Sequence, residues 1–564
     1  VRVWGGGGAA GVTLLLLGGG LGAPGLQLPL MITLAALGFG VAAVLSRSRD
    51  CGRVVAAAVA PAAFGPLAFL DGDEFSLTLS SPEIGEWVAL ATLFTVLLAW
   101  LVALLYGFTQ RRIVGRPAVA AGAAVIVAAA AFGANAAAQP GFHGEKVLVV
   151  LSQQADLSGI DGDRDTRLTE VHNRLRETAE STQADLRAEL DDRGLGYRPF
   201  YLINAIEVDT GLYSRSWLNG RDDVAKVLLS PQLRPAPDTP APDAGEKLDG
   251  TDPQPNIEQV GAPEAWDEGT GEGITIGISD SGVDGDHPAF ADRFRGGDDS
   301  WADPVNGTRK PNDPNGHGTH ALGLALGANG VGVAPGADWV GCANLPRNAA
   351  NPPDYLACLQ FMLAPYPSGG DPFTDGNPLR APHVLTNSWG CPAVEGCDGS
   401  VLNGAARAFE EAGVFFVVAA GNSGPDCGTA KTPPANAPEA YSVGAVTKND
   451  ELANFSSRGP VTIDGEPLAK PEISAPGVDV VSALPGGGYG PNTGTSMAGP
   501  HVAGAVAVLW SAEEKLIGDI DATKQLLGET AKPVTKTEDS SDIDGCGGDN
   551  AAGAGTVDIG SAVA

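Results

Sequence analysis

Four short polar motifs interrupt the apolar runs of the C-terminal half of this 564-residue chain, and each carries a residue able to do chemistry. Asp280 ends the run ITIGISD in Ile274–Phe290. A carboxylate at the carboxyl end of a buried strand sits where open α/β sheets build their sites, although an Asp opening a turn has the same local pattern. His317 lies in Asn315-Gly316-His317-Gly318-Thr319-His320, between glycines and ahead of an Ala/Leu/Gly run. An imidazole at a helix start is accessible and titrates near neutrality, which suits a general base. His320 and His501 read as buried, hydrogen-bonded histidines. The sequence has no His-Glu-x-x-His spacing for zinc, and no metal-ligating residues are assigned. Asn422 closes VFFVVAAGN (Val414–Asn422), where a carboxamide N–H can donate to a developing oxyanion. Ser496 lies in GTSMAGPHVAG (Gly494–Gly504), at the start of an apolar helix whose dipole and free N–H groups favour nearby negative charge. A serine at a helix start also serves as a plain cap.

Taken together, the motifs are far more specific than any one of them. The order Asp280, His317, Ser496 is that of the Asp–His–Ser triad in subtilisin-like serine peptidases, and the sequence resembles that family. The resemblance rests on ISDSGVD, NGHGTH, NSWG, VVAAGN and GTSMAGPHVAG and covers about residues 257–561. The stretches Trp339–Pro365, Ala381–Asp398 and Pro471–Tyr489 are similar to the bacillopeptidase-F-like branch. The resemblance implies a three-layer α/β/α domain with a mainly parallel sheet. It implies Asp280, His317 and Ser496 as the triad, with Asn422 and the Ser496 N–H as the oxyanion hole. It further implies that Ser388, Trp389 and Gly390 bind an extended substrate as an added strand. Trp389 would wall the primary pocket, or else simply pack in the core, and Ala419, Ala420 and Gly421 would floor that pocket. The run Gly553–Val563 resembles the end of such a catalytic domain. The usual tight calcium site looks absent, because Ala328–Pro335 is too short for the insertion that wraps it. No cofactor is required by this chemistry, although acidic loops such as Asp298–Asp313 leave calcium possible elsewhere.

The elements that must position these residues follow from hydropathy and charge. The net charge is −32, which excludes a basic nucleic-acid binder. Residues 1–140 carry a net +1 and residues 141–564 a net −33. The first region contains four apolar runs of 17 to 21 residues: Leu28–Leu45, Val54–Leu70, Trp87–Gly107 and Ala118–Ala138. Each is long enough to span a bilayer, and Ala9–Leu17 is a shorter fifth candidate. Arg47, Arg49 and Arg53 follow the first long run, acidic residues follow the second, and Arg111, Arg112 and Arg116 follow the third. The positive-inside rule then puts residues 141–564 outside the cell. No ionisable residue lies mid-span, so the region reads as an anchor rather than a transporter.

Seven cysteines are too few for a disulfide scaffold in a chain of this length. Cys342, Cys358, Cys391, Cys397, Cys427 and Cys546 lie in the outside part and Cys51 in an inside loop, which fits disulfides forming only outside. Six cysteines allow 15 pairings, with Cys391–Cys397 the simplest.

Between anchor and catalytic region, Lys146–Ser152 and Tyr197–Val208 read as strands, Thr166–Arg193 as a helix and Asp222–Leu229 as a short helix. Residues 141–234 resemble the inhibitor-type propeptide of subtilases, and the Pro-rich stretch 235–256 reads as a linker cut by the protease itself. The expected molecule is thus a membrane-anchored zymogen of an extracellular serine endopeptidase. Its partners are protein substrates and its own propeptide, and its mature part of about 310–330 residues is released. The competing reading is a catalytically silent binding module on the same fold.

Overall fold

The computed structural model describes residues 146–209, 214–231, 245–248, 251–463, 465–535 and 546–564. The apolar runs of residues 1–140, Cys51 and most of the 235–256 linker lie outside the described residues. Among the described residues no helix is long and apolar enough to cross a membrane. The described residues, Pro231 apart, belong to one compact unit.

The first part is a small α+β domain. Strands β1 (Lys146–Leu151), β2 (Tyr197–Phe200), β3 (Ala205–Asp209) and β4 (Val224–Ser230) form an antiparallel sheet in the order β2-β3-β1-β4. Helix α1 (Arg164–Asp192) starts where Asp163 accepts from the Thr166 N–H, and buries Leu168, Val171, Leu175, Ala179, Leu186 and Leu190 along one stripe. Two expectations need correction. Asp222–Leu229 is not a helix: Val224–Ser230 pairs with β1, a use suited to its β-branched Val224 and Val227. The short helix is instead α2, Ser214–Asn219. Tyr197–Val208 is not one strand but a hairpin, because Tyr201–Asn204 turn out of the sheet to meet the neighbouring domain.

The larger part is built on seven strands in the order β13-β10-β9-β8-β5-β7-β6, with every pairing parallel. They are β5 (Thr275–Asp280), β6 (Trp301–Ala302), β7 (Asp338–Ala343), β8 (Val384–Asn387), β9 (Phe415–Ala419), β10 (Tyr441–Val446) and β13 (Ile473–Pro476). Two hairpins stand apart, β11 (Val461–Ile463) with β12 (Glu466–Leu468), and β14 (Val480–Leu484) with β15 (Gly488–Asn492). The parallel strands are almost wholly buried, because helices cover both faces. Alternation along β9 divides the layers. Phe415 and Val417 pack with helices α3 (His317–Leu326) and α6 (Thr495–Ala512), whereas Phe416 and Val418 pack with α4 (Pro352–Leu363) and α5 (Gly399–Glu411).

The small domain continues the second of these layers. Phe200, Tyr201, Leu202 and Ile203 share one apolar cluster with α4 and α5. At its centre the buried Gln360 Oε1 of α4 accepts from the Tyr201 and Leu202 N–H groups at 2.8 and 3.2 Å. Arg198 bridges Glu207 of its own sheet and Asp354 of α4. Arg167 donates to the Glu410 and Glu411 carbonyls in the last turn of α5, a favourable place for a cation. Arg164 donates to the Ala381 and Pro382 carbonyls.

Candidate active site

Asp280 is the last residue of β5 and is buried. Its Oδ1 accepts from the Ser281 N–H and from His317 Nδ1, both at 2.7 Å. His317 is the first residue of α3. The helix can approach β5 this closely because residue 318 is glycine. A Cβ there would lie 2.1 Å from the Gly282 carbonyl oxygen and 3.0 Å from Asp280 Cβ. The preceding loop is organised by Asp313, a buried residue outside the sequence motifs. Its Oδ1 accepts from Ser281 Oγ and from the Asn315 and Gly316 N–H groups. Its Oδ2 accepts from the Thr319 N–H and hydroxyl, capping the helix that Gly316 has no side chain to cap.

Ser496 is the second residue of α6. Its Oγ donates to the Ser388 carbonyl at 2.9 Å, while Ser388 Oγ donates to the Ser496 carbonyl at 2.9 Å. No hydrogen bond joins Ser496 to His317, so the structure holds the hydroxyl on the β8 side of the cleft. Asn422 follows the turn made by Gly421, whose φ is +103°. Asn422 Oδ1 accepts from the Thr495 N–H and hydroxyl, both at 2.9 Å, and Thr495 Oγ1 accepts from the Gly421 N–H at 3.1 Å. With Oδ1 so occupied, Nδ2 is left as an open donor beside Gly494 and Ser496. Asp280, Ser388 and Asn422 thus stand at the carboxyl ends of β5, β8 and β9.

Burial favours the neutral His317 ring, but the charge of Asp280, the hydrogen bond to it and the charge of Asp313 outweigh that. The imidazole is held above its usual value of 6.5. It is 18% exposed, so one edge remains open. His320 and His501 are pushed down to about 4 by burial. His320 Nε2 donates to the Gly490 carbonyl, and His501 Nδ1 to the Met497 carbonyl. Both are neutral structural groups at pH 7.

The substrate-side residues are placed as follows. Ser388, Ala419 and Ala420 are buried, and Gly390 and Gly421 are partly open. The Trp389 indole faces inward, 6% exposed, and its Nε1 donates to the Ser279 carbonyl at 2.7 Å. Its ring stacks on Tyr355 with centroids 4.0 Å apart, and the Tyr355 hydroxyl donates to Glu395 Oε2 at 2.8 Å. Burial pushes Glu395 up to about 8, against the Tyr355 hydroxyl and the Ala350 N–H, which favour its charged form.

Cys342–Cys358, Cys391–Cys397 and Cys427–Cys546 form disulfides, with Cα separations of 5.5, 5.7 and 5.4 Å. The short loop after α3 is closed by the Gly332 N–H donating to the Gly327 carbonyl, and the Gln254 N–H donates to the Gly330 carbonyl. Among the described residues no group of three or more His, Cys, Asp or Glu is placed to hold a metal ion.

Asp313, Thr495, Tyr355 and Glu395 were not singled out from sequence. Asp313 carried one readable sign, an acidic residue shortly before a helix start that lacks a capping side chain. The other three act through partners distant in the chain.

A parallel sheet with a carboxylate–imidazole pair, a helix-start hydroxyl and an oriented carboxamide at its strand ends is the arrangement of the subtilisin-like serine peptidases. The Subtilase family model (Peptidase S8) matches residues 271–555, and the chain belongs to that family of serine peptidases. It is 33% identical to Bacillopeptidase F of Bacillus subtilis (strain 168), over 65% of this chain and 27% of that protein. It is 31% identical to Subtilisin-like protease 1 of Arthroderma otae, over 58% of this chain and 61% of the relative. Identity to Subtilisin-like protease 6 of Trichophyton rubrum is 34%, over 43% and 53% of the two chains. The chain therefore spans about a quarter to three fifths of these relatives' lengths.

Proposed function

We propose that the protein is a serine endopeptidase acting through Asp280, His317 and Ser496. The observation that carries this reading is the 2.7 Å bond from His317 Nδ1 to Asp280, which leaves Nε2 free for the nucleophile's proton. Ser496 Oγ turns from the Ser388 carbonyl to His317 Nε2, gives up its proton and attacks a peptide carbonyl. The developing oxyanion accepts from Asn422 Nδ2 and the Ser496 N–H. His317 then protonates the leaving amine, and water hydrolyses the acyl-enzyme by the same route. Asp280 holds the ring tautomer and stabilises the imidazolium. The substrate runs along Ser388–Gly390 as an added strand, above the small residues Ala419, Ala420 and Gly421. The chemistry uses only these groups and water. The test is labelling by a serine-directed phosphonate, with hydrolysis of a peptide substrate. Wild type should be labelled and active, and Ser496→Ala neither. A folded, unlabelled and inactive wild type would leave the silent binding module as the better reading.

Residues 141–234 act as an inhibitor-type propeptide. Their shared core with α4 and α5 supports that role. Residues 1–140 anchor the precursor in the membrane, with the protease outside. A cut in the linker separates the two and releases the mature enzyme.

A further inference from the structure

Tyr355 and Glu395 touch neither Ser496 nor His317, yet they end a continuous chain of contacts that reaches the substrate edge. Glu395 accepts from the Tyr355 hydroxyl at 2.8 Å. The Tyr355 ring lies on Trp389 at 4.0 Å, with planes 23° apart. Trp389 Nε1 donates to the carbonyl of Ser279, the residue before Asp280. Cys391, two residues beyond Trp389, donates its N–H to the Pro433 carbonyl at 2.7 Å. Two disulfides bracket the assembly. Cys391–Cys397 closes the loop that carries Glu395. Cys342–Cys358 ties α4, one turn beyond Tyr355, to β7, which pairs with β5.

We infer that Tyr355 and Glu395 are positioning residues for substrate recognition, fixing the Ser388–Gly390 edge against the strand of Asp280 through Trp389. The inference rests on the protease reading and names two residues that the reading does not use. Filling this space would need only apolar side chains, and burying a carboxyl is costly even with the Tyr355 hydroxyl and the Ala350 N–H as partners. A polar pair of this kind admits one geometry where an apolar contact admits several. The edge binds main chain, so an error in its position grows with the number of substrate residues paired to it. A small ester that meets only Ser496 and the oxyanion donors does not use the edge.

The test compares wild type with Tyr355→Phe, Glu395→Leu and Glu395→Gln, each expressed as the full chain and assayed after activation. The substrates are a five-residue peptide anilide and a p-nitrophenyl ester. Loss of the Tyr355–Glu395 hydrogen bond should raise KM for the peptide about tenfold in Tyr355→Phe and Glu395→Leu. In both, kcat and ester hydrolysis should stay within about twofold of wild type. Glu395→Gln keeps an acceptor for the hydroxyl and should restore the wild-type KM. Equal losses on both substrates would mark a general structural role and overturn the inference, as would an unchanged KM. If Glu395→Leu does not fold, Tyr355→Phe against Glu395→Gln decides the matter. Wild type that hydrolyses neither substrate would overturn the protease reading, and this inference with it.

Discussion

Thr495 decides where the Asn422 amide points, because both of its donors bind Asn422 Oδ1. Asn422→Ala should lower kcat by about 10²–10³, the usual cost of losing one oxyanion donor. Thr495→Val removes one of the two orienting bonds and should cost roughly tenfold in kcat. Equal effects from the two variants would contradict the assigned roles. The general base has its own signature. In the proposed mechanism activity needs neutral His317, and the ring is held above 6.5 by Asp280 and Asp313 despite burial. The acid limb of kcat/KM should therefore have its midpoint above pH 6.5. Asp280→Asn should move that limb to lower pH and cut the rate by about 10⁴. Stability runs the opposite way. The charged ring's contribution is fully present below 6.5 and is lost as pH rises through the folded value. The places of Asp280, His317 and Ser496 at a strand end and two helix starts were legible in sequence because each lies in a short motif beside an apolar run. Thr495 and Asp313 were not, since their work depends on which backbone groups the fold brings to them.

At the scale of elements, the contact between the small domain and α4 has one polar centre. Gln360 is the acceptor for two buried N–H groups, and nothing in a helix read alone marks such a residue as an interface anchor. Gln360→Met keeps the volume and orphans both donors. In the Ser496→Ala precursor it should reduce unfolding stability by about 2–4 kcal/mol, read by denaturant melts. A loss below about 0.5 kcal/mol would show that the turn Tyr201–Asn204 is held by packing alone. The parallel sheet was expected from the family resemblance, and its strands are the buried apolar runs that end in the motifs. The small domain was legible only in outline. Val224–Ser230 has no clean two-residue alternation, and its strand character comes from pairing with Lys146–Leu151, some 75 residues away.

At the scale of the whole molecule, the charge step between residues 1–140 and 141–564 falls between the proposed anchor and the rest of the chain. The C-terminal end of the linker is already committed to the larger domain. Glu246 exchanges two backbone hydrogen bonds with Tyr489, and Leu248 packs on the main core. Self-cleavage should therefore fall before Gly245, leaving this segment with the mature enzyme. The most direct measurement is the fate of the full chain, wild type beside Ser496→Ala, followed by gel and by N-terminal sequencing of any released fragment. The account predicts that wild type frees a soluble fragment beginning before Gly245, while Ser496→Ala stays full length and with the membrane. If the two behave alike, whether both cut or both intact, Ser496 is not the nucleophile of a self-processing protease.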